Sequence, residues 1–138
     1  MTHTIPVRVY YEDTDAGGIV YYANYLKFLE RGRTDYLRDL GIAQRQLAET
    51  TGLAFAVRAI SADYLKPARL DDELLVATAV GEVGRAQVTF VQSVRRADET
   101  LLTATVRVAC LDLARGKPAA MPRDLHRKLL ELSQSSTV

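Results

Sequence analysis

Acids, glycines and aromatic residues converge at one place in this chain, Tyr11-Glu12-Asp13-Thr14-Asp15-Ala16-Gly17-Gly18-Ile19-Val20-Tyr21-Tyr22, where an extended stretch gives way to a helical period. A helix N-terminus presents unpaired N–H groups and the positive end of the helix dipole. Such a terminus binds an anion or polarises a carbonyl towards an oxyanion. A carboxylate a few residues upstream can face the same carbon, as a general base or as a nucleophile. The plainer reading stands beside this one: acids ahead of a helix serve as caps and dipole partners, and Gly17-Gly18 only makes a turn. Asp13 reads as such a loop or capping acid. Tyr10, Tyr11, Tyr21, Tyr22 and Tyr25 crowd the region, as the lining of an apolar pocket or as core aromatics with a solvated hydroxyl.

Other catalytic chemistries lack their residues. The histidines are His3 and His126, and no Gly-x-Ser-x-Gly elbow occurs, which argues against a Ser-His-Asp hydrolase. Cys110 is the lone cysteine, so a zinc site is not expected and no intrachain disulfide is possible. It lies in an apolar run and reads as a buried free thiol in a reducing compartment.

The elements that must position the loop are legible from periodicity. Residues 6–11 read as a strand from β-branched and aromatic content. Over 22–40, Tyr25, Phe28, Leu29, Gly32, Tyr36, Leu37 and Leu40 share a helical face, and Gly41 stops it as a C′ glycine. Gly32 on that apolar face implies close helix-to-sheet contact. Glu30, Arg31 and Arg33 read as a solvated face with interface contacts. A short helix is expected over 43–50. From Leu53 the period becomes two, as in long antiparallel strands with one buried face, punctuated at Lys66-Pro67-Ala68-Arg69-Leu70-Asp71-Asp72, Gly84-Arg85 and Ala97-Asp98-Glu99. A last amphipathic helix starts at Pro122. This is an α+β layout in which a long antiparallel sheet wraps around one central helix. Long open edges predict a homodimer or homotetramer.

At 138 residues, 48% hydrophobic and 25% charged, the chain reads as one domain over 1–138, with 133–138 a fraying tail. A net charge of +1 with scattered basic residues argues against nucleic acid. No window approaches a membrane span and no signal-peptide pattern opens the chain, so a cytoplasmic protein without membrane insertion is expected.

The run Asp13-Thr14-Asp15-Ala16-Gly17-Gly18-Ile19-Val20-Tyr21-Tyr22-Ala23-Asn24-Tyr25 resembles the signature of hotdog-fold thioesterases of the 4-hydroxybenzoyl-CoA type. Leu29-Glu30-Arg31-Gly32-Arg33-Thr34-Asp35-Tyr36-Leu37 and Asp63-Tyr64-Leu65-Lys66-Pro67-Ala68-Arg69-Leu70-Asp71-Asp72-Glu73-Leu74 resemble their Tol-Pal-associated acyl-CoA thioesterase branch. The likeness covers roughly residues 5–130. It implies a hotdog fold and hydrolysis of an acyl-CoA, with a short-chain aliphatic or an aromatic acyl group. It also implies Asp15 as the catalytic carboxylate and the Tyr22 backbone N–H, at the helix start, as the carbonyl-polarising donor. Gly18, Tyr25, Lys66 and Arg85 are then the candidate substrate-binding residues. Arg85, opening the strand after Gly84, matches a basic position on the family's phosphate-binding strand, although Arg85 and Lys66 also read as ordinary surface charges. One position departs: the Tol-Pal branch usually has histidine where this chain has Tyr22, whereas the hydroxybenzoyl branch has tyrosine. Coenzyme A is part of the substrate and no other cofactor is implied; acyl carrier protein is an alternative carrier. The rival readings are a non-catalytic module binding acyl-CoA or acyl carrier protein, and a structural partner of envelope or lipid-synthesis proteins. A buried carboxylate would gain a pure binder nothing.

Overall fold

The computed structural model describes residues 2–135. Period-two patterning builds β3 (Glu73–Val83), β4 (Gln87–Arg96) and β5 (Glu99–Asp112), and β1 (His3–Arg8) and β2 (Leu53–Tyr64) complete their antiparallel sheet in the order β1-β3-β4-β5-β2. Leu74, Val76, Val80, Val88, Phe90, Val94, Leu102, Val106 and Val108 form its buried face. A short strand that the sequence reading omits, β6 (Lys117–Pro118), pairs with β5. Across the buried face lies α1 (Asn24–Asp39), packed on β1, β3 and β4.

The close approach expected at Gly32 is present. A Cβ there would fall 2.8 Å from Thr78 Oγ1 and 2.9 Å from Val76 Cγ1. After α1, Gly41 takes a φ of 89° and the Gly41 and Ile42 N–H groups donate to Arg38 O and Leu37 O, a Schellman ending. α2 (Gln44–Thr51) then leads into β2, and α3 (Arg123–Ser135) packs against β3.

Element boundaries differ from the sequence reading in several places. β1 ends at Arg8, and Tyr11–Asp13 forms a 3-10 turn, because the Asp13 carboxylate takes the Tyr10 N–H and pulls the chain out of the extended conformation. α1 starts at Asn24, so Tyr22 lies in the turn ahead of the helix. β4 starts at Gln87; Arg85 sits in the β3–β4 hairpin, where the Gly84 N–H donates to Gln87 O, and does not open the strand. α3 runs through Ser135, with the Ser133 hydroxyl donating to Gly81 O; residues 136–138 of the expected tail lie outside the described residues.

β2 is a free edge of the sheet. Val57, Ile60 and Tyr64 pair with the buried Val108, Val106 and Leu102 of β5, and so face the helix side of the sheet, yet they stay exposed because α1 covers the other half.

Candidate active site

The loop between β1 and α1 is built on Asp13. Its Oδ2 accepts the Tyr10 N–H at 2.9 Å, and its carbonyl accepts the Tyr21 N–H at 3.0 Å and Asn24 Nδ2–H at 2.8 Å. This buried acid therefore pins both ends of the loop. Residues 14–20 fold back as a narrow turn, with a Thr14–Val20 bridge and the Asp15 N–H donating to Ile19 O. Gly18, at a φ of 77°, makes the reversal, and a Cβ there would meet nothing within 4 Å. The turn docks on the β2–β3 connection through the Val20 N–H on Ala68 O and an Ile19–Arg69 bridge.

Asp15 projects from this turn into solvent, its Oδ1 accepting the Gly17 N–H at 2.8 Å. Tyr22 follows at the helix entry, 62% exposed. Among the described residues its N–H has no hydrogen-bond partner, which leaves a donor at the positive end of α1. Beside it opens an apolar groove of about 350 Å³, lined by Ile19, Val20, Tyr22, Tyr25, Tyr64, Leu65, Lys66 and Pro67. A free N–H at a helix start thus adjoins an apolar groove, and the Asp15 carboxylate, outside the groove's lining, stands on the turn whose Ile19 lines it.

The remaining candidates fall at different distances from that corner. Tyr25 is buried, and its hydroxyl oxygen accepts the Ala68 N–H at 2.9 Å, so it offers the groove a ring wall. Burial pushes its phenol up from the ordinary range, partly offset by that N–H. Lys66 lines the groove while its ammonium lies 2.9 Å from Glu99, which also pairs with Arg96; the two cations hold the Glu99 carboxyl below its usual range. Tyr10 and Tyr11 turn outward, 63% and 82% exposed, and are not part of the groove. Arg85 is far away. The groove lies at the C-terminal end of β4, where Arg96 reaches Pro67 O, and Arg85 precedes the start of that ten-residue strand, a span of about 30 Å.

A family model described as the thioesterase-like superfamily matches residues 9–129. The chain belongs to that superfamily. An acyl-CoA thioesterase YbgC of Haemophilus influenzae is 52% identical to this thioesterase-like chain, over 88% of it and 90% of the relative. The acyl-CoA thioester hydrolase YbgC of Escherichia coli is 45% identical over 87% and 90% of the respective chains. Among solved structures, a probable thioesterase from Bartonella henselae superposes with a TM-score of 0.83 at 35% identity, covering 88% of this chain and 100% of that one. The sheet curled around α1 is the hotdog fold.

In this thioesterase-like fold the structure also brings forward residues that the sequence reading left aside. Tyr64, at the end of β2, donates its hydroxyl to the Tyr22 carbonyl at 3.1 Å. Its signal was an aromatic residue closing a strand just ahead of the Lys66-Pro67 turn. Arg33, read as part of a solvated face, is only 7% exposed, and its Nη1 donates to Gln92 Oε1 at 3.0 Å. Gln92 in turn donates to Leu29 O and Thr78 Oγ1. Position 33 shares a helical row with Leu29 and Leu37, and α1 lies too close to the sheet for that row to reach water. Burial lowers the Arg33 pKa, and Glu30 opposes the shift.

Proposed function

We propose that this chain hydrolyses the thioester of an acyl-CoA to a free acid and coenzyme A, with Asp15 and the Tyr22 backbone amide as its catalytic groups. The observation that carries the reading is the unpartnered Tyr22 N–H at the start of α1, sharing its loop with the solvent-open Asp15 carboxylate. The thioester carbonyl accepts the Tyr22 N–H, and charge developing on its oxygen meets the positive end of α1. Asp15 then acts in one of two ways. As a general base it takes a proton from water, whose oxygen bonds to the carbonyl carbon while the C–S bond breaks and the thiolate leaves. As a nucleophile it bonds to that carbon itself while the C–S bond breaks and the thiolate leaves, and water then cleaves the mixed anhydride to the free acid and the restored Asp15 carboxylate. Both routes consume one water and yield one acid and one thiol.

The acyl group, short-chain aliphatic or aromatic, lies against Tyr25, Tyr64 and Leu65. Gly18 leaves bare backbone beside the path of the pantetheine arm, and Lys66 stands at the rim. The enzyme is a homodimer or a dimer of dimers, because the free edge of β2 and the exposed Val57 and Ile60 invite a second copy. A two-fold axis pairs β2 with its copy antiparallel, so the partner's Leu53 end adjoins this chain's Tyr64 end. The partner subunit's Arg85 hairpin, at the Leu53 end of its own sheet, then stands on the same side as this Tyr22. Arg85 thereby meets the coenzyme A phosphates of the neighbouring site, although it lies far from its own. No cofactor takes part. The enzyme acts in the cytoplasm, which suits Cys110, a free thiol that is buried and whose pKa burial raises.

Release of free thiol from acetyl-, butyryl-, benzoyl- and 4-hydroxybenzoyl-CoA, and from the same groups on acyl carrier protein, tests the reading. Turnover of at least one coenzyme A thioester is expected. Tight binding of those thioesters with no thiol released would instead make the chain a non-catalytic acyl-binding module.

A further inference from the structure

Tyr22 lies just ahead of α1, where the first N–H groups of a helix have no partner four residues back. The Leu26 N–H, in the first turn, donates to Ala23 O at 3.2 Å, which leaves the Tyr22 carbonyl to the Tyr64 hydroxyl at 3.1 Å, from a residue 42 positions away on the edge strand. The peptide on the other side of Tyr22 is fixed locally, since the Asn24 N–H donates to Tyr21 O at 2.8 Å and the Tyr21 N–H to Asp13 O at 3.0 Å. Residue 22 is thus held by its own loop before its α-carbon and by β2 after it. The Tyr64 ring is itself confined: it meets the Tyr22 ring edge-on at 6.2 Å and the Tyr25 ring at 5.6 Å, and Tyr25 is anchored by Ala68.

Resting on the hydrolase reading, we propose that Tyr64 is a positioning residue for the reaction, its hydroxyl clamping the Tyr22 carbonyl so that the Tyr22 N–H keeps its aim at the thioester oxygen. A phenol is a protonated donor at neutral pH, and burial, with Tyr22 beside it, pushes that of Tyr64 further up. The placement also matters beyond the residue, because the clamp comes from the strand whose other edge awaits a second copy. Oxyanion donors act by being in place before charge develops, so a donor that wanders loses rate without losing ground-state affinity.

Tyr64→Phe keeps the ring contacts and removes the donor. Its expected effect is a fall in kcat of about tenfold on the best coenzyme A thioester of the panel above, with KM within about twofold. Introducing 4-aminophenylalanine at Tyr64, which restores an N–H donor of similar reach, is expected to recover kcat to within about threefold of wild type. A residue that only packs would show neither the kcat-against-KM split nor the rescue. A Tyr64→Phe enzyme whose kcat stays within about twofold of wild type overturns the assignment. So does a loss of kcat that the amino side chain fails to restore. A wild-type protein inert on the whole panel overturns the hydrolase reading instead, so the two failures are distinguishable.

Discussion

Asp13 and Asp15 stand one residue apart and differ in what their carboxylates touch. Asp13 is buried and spends its side chain on the Tyr10 N–H, whereas Asp15 faces water with one oxygen on the Gly17 N–H. Asp15→Asn is therefore expected to lower kcat by about 100-fold or more, with acyl-CoA affinity retained, as read by thiol release and calorimetry. Asp13→Ala is expected to act on stability, losing about 0.5–2 kcal/mol as a removed cap does, seen as a drop of a few degrees in Tm. Near-normal turnover in the Asp15→Asn enzyme would move the chemistry off this loop. At Tyr22 the backbone, not the phenol, is the proposed donor. Tyr22→Phe should hold kcat within about tenfold, under about 1.4 kcal/mol of barrier, and abolished turnover in a folded variant would make the hydroxyl a reacting or clamping group. Residue types and order marked this loop in the sequence, but hydrogen-bond partners separate its two acids, and a one-dimensional pattern does not carry those. Arg33 is the converse case. Its charge argued for solvent, its helical row argued for the core, and the row prevailed.

Period and punctuation made α1 legible as an element, down to the glycine that ends it, and Gly32 tests how tightly it is seated. Alanine at an ordinary helical position gains about 1 kcal/mol over glycine. At position 32 the new methyl group would meet Thr78 Oγ1 and Val76 Cγ1, both on a central strand, with Gln92 Nε2 at 3.1 Å. Thr78 and Gln92 cannot retreat without disturbing the hydrogen bonds that join Gln92 to Leu29, Thr78 and Arg33, and Val76 is fully buried in the core. Gly32→Ala is thus expected to destabilise the protein by about 1–3 kcal/mol, measured as a lowered urea midpoint with an unchanged m-value. An equal or higher midpoint would mean that α1 rides further from the sheet. Element ends were less legible than element centres because single hydrogen bonds decide them. β1 gives way to the 3-10 turn as the Tyr10 N–H turns to the Asp13 carboxylate, and Tyr22 lies outside α1 with its carbonyl on the Tyr64 hydroxyl, 42 positions away.

At the scale of the molecule the unanswered surface is the half of the sheet that α1 leaves open, bounded by the free strand β2. Long open edges were foreseeable from the strand lengths, but that β1 and β2 form them depends on strand order, and strand order is a property of the fold. If β2 pairs with its copy, light scattering gives a mass of twice 15.3 kDa or a multiple of that, and a monomer at micromolar concentration would defeat the dimer. The same pairing assigns Arg85 to the neighbouring site, which mixed dimers can test. Arg85→Ala subunits carry an intact Asp15 but no Arg85 to lend; Asp15→Asn subunits carry Arg85 but no carboxylate at position 15. When the two are unfolded together and refolded, about half of the dimers are mixed, and each mixed dimer contains one site with Asp15 from one subunit and Arg85 from the other. Activity at low acyl-CoA concentration should then rise well above that of either parent, towards about a quarter of wild type. If Arg85 served its own chain, no mixed dimer would hold an intact site, and the mixture would show only the average of its parents.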